Sequence, residues 1–80
     1  MEVQTNADGN HYIELDRPQD EKTVLTYMPH REWAQQAVVR IEVEMPSGKR
    51  PWGPEIPVDR LGDFVSGIIN LINSEVQDKE

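Results

Sequence analysis

Apolar and polar positions alternate along most of this chain and change to helical spacing only near its end. A strand points successive side chains to opposite faces, whereas a helix gathers positions i, i+3, i+4 and i+7. His11 to Asp16 is a short alternating run with Ile13 and Leu15 on one face. Arg17-Pro18-Gln19-Asp20-Glu21 breaks it, because proline cannot donate to a strand ladder. Lys22 to Met28 is rich in strand formers (Thr23, Val24, Leu25, Thr26, Tyr27), and Pro29 is expected to end it. His30 to Gln36 fits either one helical turn or a polar loop holding Trp33. The clearest strand runs from Ala37 to Met45. There Ala37, Val39, Ile41, Val43 and Met45 point one way, and Val38, Arg40, Glu42 and Glu44 the other. A core face opposite a wet face is the antiparallel pattern. Pro46 to Pro51 reads as a hairpin loop. Trp52 to Val58, interrupted by Gly53, Pro54 and Pro57, reads as a short edge strand.

Asp59 is placed as the N-cap of one long helix from Arg60 to about Gln77. Leu61, Phe64, Val65, Ile68, Leu71, Ile72 and Val76 make its apolar stripe, and Ile69 widens it. Residues 1–10 read as a weakly ordered arm or the end of a first strand, with a turn at Asp8-Gly9-Asn10. The expectation is an α+β single domain over residues 1–80: a small antiparallel sheet of about four strands, followed by one long C-terminal helix packed on one face. The wide stripe allows a second role. Ile68, Ile69, Leu71 and Ile72 can cover a symmetry mate, and a homodimer is expected because so short a chain has a thin core.

The chain has no cysteine, so neither a disulfide nor a zinc thiolate is available, and a reducing cytoplasmic setting is expected. No run approaches the ~20 apolar residues that span a bilayer, and the first ten residues lack the basic-then-apolar order of a signal peptide, so no membrane partner is expected. Net charge is −7, from 15 acidic and 8 basic residues. The excess is spread evenly over both halves and is not an acidic tail. Such a surface repels nucleic acid at long range and attracts basic partners.

No catalytic residues are expected, and the chain is not read as an enzyme. His11 and His30 sit in no motif, and Ser47 and Ser66 have no evident base. Asp8, Asp16, Asp20 and Glu21 lack the spacing of a calcium loop, and two isolated histidines do not make a zinc site; no metal and no cofactor is expected. Gly48-Lys49 lacks the upstream glycine and following Ser/Thr of a phosphate loop. Binding chemistry is better represented. Lys49 and Arg50 sit beside Trp52 in a stiff loop, a combination that stacks on a base or grips an acidic partner. Trp33, in its polar loop, is a second aromatic anchor. Glu42 and Glu44 would stand beside Glu14 and Asp16 if the strands align, giving an acidic face.

From Val38 onward the order of features resembles the single-stranded-DNA-binding transcriptional coactivator family (positive cofactor four and its bacterial relatives). The resemblance rests on Val39-Arg40-Ile41-Glu42-Val43, a Pro/Gly/Lys turn, a short strand with Gly53 and Ile56, and a helix opening before Leu61. It covers residues 38–72. It implies a curved four-stranded sheet and one helix through which the chain dimerises, with Arg40, Lys49, Arg50 and Trp52 toward nucleic acid. Composition points elsewhere, to the small, acidic, cysteine-free inhibitors and immunity-type proteins common in phages and mobile elements. The leading expectation is therefore a regulatory or inhibitory binding protein that meets a basic macromolecular partner through Trp33, Trp52, Glu42 and Glu44. The alternative is a dimeric single-stranded nucleic-acid-binding transcription cofactor.

Overall fold

The computed structural model describes residues 2–51 and 53–78. Five antiparallel strands follow one another in a meander, with sheet order identical to chain order. They are β1 (Gln4–Thr5), β2 (His11–Asp16), β3 (Lys22–Arg31), β4 (Gln36–Glu44) and β5 (Glu55–Pro57), and a helix α1 (Leu61–Asp78) completes the chain. The fold is α+β as expected, with five strands instead of about four. The extra one is β1, which adds the first residues to the sheet edge beside β2 through Gln4–Tyr12 and Thr5–His11 pairing.

Local chemistry accounts for most boundaries. The β1–β2 turn closes on Gly9 at φ +84°, and Asn6 Oδ1 accepts the backbone N–H groups of Asp8 and Asn10 at 3.0 Å. Pro29 does not end β3. It sits where the register shifts between Met28 and Arg31, so its missing N–H leaves no gap in the ladder. The ambiguous stretch after it is a tight turn from Glu32 to Gln35, with Gln35 at φ 56° and its amide bonded to the Glu32 carbonyl at 2.7 Å. Asp59 is not an N-cap. It lies in a 3₁₀ turn, Val58–Arg60, between β5 and α1, and its backbone N–H donates to Gln36 Oε1 at 3.1 Å.

Residues directly opposite on neighbouring strands share a face. The registers therefore place Gln4, Tyr12, Glu14, Asp16, Lys22, Val24, Thr26, Met28, Val38, Arg40, Glu42, Glu44 and Glu55 on one face. Ile13, Leu15, Leu25, Tyr27, Val39, Ile41, Val43 and Ile56 share the other. Burial runs against the hydropathy pattern. Val24 and Val38, on the polar face, are fully buried, and Thr26 and Glu42 beside them nearly so. The apolar face, expected to be the core, is only half-buried, and Tyr27 on it is exposed.

The reason is the helix, which does not lie across the sheet. Phe64, Val65, Ile68, Ile69, Leu71 and Ile72 are 38–73% exposed, so the expectation of a helix packed on one face gives way to a helix standing off it. β5 passes into the 3₁₀ turn and then into α1 without a loop, and that continuity directs the helix away.

Candidate functional site

The polar face of the sheet carries the chain's most organised side-chain chemistry. Its centre is Glu55, on the short strand β5, in register with Arg40 on β4. Arg40 donates from Nε and Nη2 to Glu55 Oε2 at 3.0 and 2.8 Å. Arg31, at the end of β3, donates Nε and Nη2 to Oε1 and Oε2 at 3.0 and 3.1 Å. Trp33 completes the set with its indole N–H to Oε1 at 3.0 Å. Burial pushes the Glu55 carboxyl up, but the hydrogen bonds from Trp33, Arg40 and Arg31 outweigh it and hold the group at about 2. With its lone pairs filled by charge-assisted donors, Glu55 is a poor proton acceptor and a good clamp. It ties the β3–β4 turn to β5.

A second network crosses the same face. Tyr12 Oη donates to Gln4 Oε1 at 3.1 Å, Gln4 Nε2 approaches Glu14 Oε1 at 3.5 Å, and Lys22 pairs with Glu14 Oε2 at 2.8 Å. The Lys22 hydrogen bond lowers the Glu14 carboxyl, and the Glu14 hydrogen bond raises the Lys22 ammonium. Beyond it Arg50 reaches back from the β4–β5 loop to Glu44 at 2.8 Å. Asp16, Lys22 and Glu44 form one cross-strand row, and Glu14, Val24 and Glu42 the next. The acids of β2 and β4 thus share a face but do not stand side by side as expected, because β3 lies between them with Lys22 and Val24 in the intervening positions.

The expected site residues are dispersed. Trp33 is 60% exposed at one end of the sheet, and Glu44 lies at the other, opposite Lys22. The nine residue steps of β3 from Lys22 to Arg31 separate these ends by roughly 30 Å. Glu42 is 8% exposed and is not available for direct contact, and Glu44 is engaged by Arg50. Arg40 is held by Glu55 and Arg50 by Glu44, while Lys49 has no carboxylate within 4.0 Å among the described residues. Trp52 lies outside the described residues. Ile68, Ile69, Leu71 and Ile72 are together on the exposed stripe of α1.

Sequence reasoning missed Glu55 and Arg31. The available signal was positional: Glu55 is the one charged residue between Pro51 and Val58, in a segment read as the partner of the strand that carries Arg40.

Comparison with family models, with curated proteins and with solved structures gives no match to this chain. No helix among the described residues is long and apolar enough to cross a membrane.

Proposed function

We propose that this protein is a non-enzymatic binding module, working as a homodimer, that engages a macromolecular partner with a basic surface. The observation that supports this reading is the distribution of ion pairs. Arg17, Lys22, Arg31, Arg40, Arg50 and Arg60 each have a carboxylate of this chain within 4.0 Å. Asp8, Asp16, Asp20, Glu32 and Asp63 are exposed and have no cationic partner within that distance among the described residues. These six cations are neutralised within the chain, and with a net charge of −7 the field presented to solvent is set by the surplus acids. Such a field accelerates encounter with a basic surface and slows encounter with a polyanion. Asp16 and Asp20 flank the acidic end of the polar face and are the residues assigned first contact. Trp33, exposed at the opposite end, is the aromatic anchor of a partner long enough to follow the sheet.

Single-stranded nucleic acid is the second reading. The helix that leaves the sheet with its stripe bare favours it, since the coactivator resemblance implies a chain that dimerises through its helix. On this reading phosphates displace Glu55 and Glu44 from Arg40 and Arg50 and meet Lys49 directly, and Trp52 stacks on a base.

Titration with an oligolysine peptide and, separately, with a single-stranded oligonucleotide, following intrinsic Trp emission at low and moderate salt, tests the two together. The acidic-module reading expects saturable, salt-sensitive binding of the peptide and no response to the oligonucleotide. Saturable quenching by the oligonucleotide alone reverses the choice.

A further inference from the structure

The chain carries two apolar surfaces that do not cover each other. One is the sheet face bearing Ile13, Leu25, Val39, Ile41 and Ile56, half-buried with no element laid across it among the described residues. The other is the α1 stripe from Phe64 to Ile72. The accessible surface of the chain is 6149 Å², whereas a compact chain of this size exposes about 4,900 Å². The difference, about 1,200 Å², exceeds the roughly 800 Å² that each partner contributes to a standard protein–protein interface. The radius of gyration tells the same story, at 14.8 Å against about 12 Å for a compact chain of this length.

We infer that these two surfaces are the halves of one reciprocal interface, in which the α1 stripe of each copy seats on the apolar sheet face of a second copy. This rests on the homodimer proposed above and specifies how it is built. The occupant is a second copy because the two surfaces match in kind, and a two-fold axis satisfies both at once. The helix's own sheet is out of reach. β5 runs through the Val58–Arg60 turn into α1 without a loop, and Asp59 N–H is tied to Gln36 Oε1 at 3.1 Å, which fastens the root of the helix to β4 in its outward course. A helix of 18 residues spans about 27 Å, enough to cross all the long strands of a facing sheet. The reciprocal arrangement also leaves both polar faces outward, where Trp33, Asp16 and Asp20 meet solvent.

The test uses the full chain and a label that leaves the stripe intact. Asn70 lies on the polar side of α1, so Asn70→Cys carries a nitroxide without touching the interface; the chain has no other cysteine. Unlabelled-isotope protein bearing the nitroxide is mixed with ¹⁵N-labelled wild-type chain, and amide broadening is read in the ¹⁵N chain alone. Sedimentation equilibrium is run in parallel. The inference expects a dimer, with amides at Ile13, Leu25, Val39 and Ile41 broadened at least twofold more than those of the Asn6–Asn10 turn. A dimer in which only α1 amides broaden means that helix pairs with helix; it overturns this interface and leaves the homodimer standing. A monomer at all concentrations overturns both.

Discussion

Arg40 and Glu55 face each other across β4 and β5, joined by two hydrogen bonds of 3.0 and 2.8 Å to a single carboxylate oxygen. Arg31 and Trp33 occupy the rest of that carboxylate, so one side chain fastens three segments. Glu55→Gln keeps the shape and removes the charge. It leaves two guanidiniums, both largely covered, facing a neutral amide. The expected loss is about 2 kcal/mol in urea unfolding, with the m-value unchanged.

The same carboxylate sets an acid limb. Its folded-state value of about 2 lies below the ordinary carboxylate value, so the folded chain binds fewer protons than the unfolded chain in that interval. Stability from Glu55 is complete above the unfolded carboxylate value, about 4.3. It is lost progressively as pH falls from there through 2. Glu14, lowered by the Lys22 hydrogen bond, acts in the same direction. Urea midpoints measured from pH 5 down to pH 2 should fall steeply in wild type and less steeply in Glu55→Gln.

Gly53 is required for a different reason than Gly48. A Cβ at Gly53 would fall onto the Ile41 carbonyl oxygen, because the return segment crosses β4 there and Ile41 N–H bonds Pro54 O at 2.9 Å. Gly48 has open space and a φ of +89°. Gly48→Ala should therefore cost roughly 1–2 kcal/mol of backbone strain. Gly53→Ala should cost about 3 kcal/mol or more and release β5 with its Glu55 clamp. Thermal unfolding followed by Trp emission ranks the two.

If the apolar sheet face is covered only by a second copy, folding and association are one equilibrium. The Tm should then rise with protein concentration. Ile68→Glu should lower the Tm at every concentration and abolish that rise. A Tm constant over a hundredfold range of wild-type concentration would mean that each chain stands alone.

The strands were legible because their chemistry is local. The bounds of β2 follow directly from alternation and from Pro18, and β4, read as Ala37 to Met45, starts and ends one residue earlier. Pro29 misled because a bulge tolerates a missing N–H, and no single-residue signal marks a register shift. Two larger features were not legible. Periodicity shows that a helix has an apolar stripe; whether the stripe meets its own sheet depends on the connection, here a 3₁₀ turn with no loop. The Glu55 clamp depends on cross-strand register between segments 15 to 24 residues apart, which alternation within one strand does not encode. For the same reason the burial of Val38 and Glu42, which read as wet positions, was not legible: alternation within one strand does not encode what neighbouring segments cover.

The surplus-acid reading is tested most directly by making one and the same change of net charge at two different places. Asp16→Lys with Asp20→Lys reverses the acidic end of the polar face. Asp8→Lys with Asp63→Lys makes the same net change elsewhere. Affinity for an oligolysine peptide is then measured for both at low salt. The account predicts a loss of tenfold or more in the first variant and at most a threefold loss in the second. Equal losses in the two would contradict it, leaving net charge and no binding face.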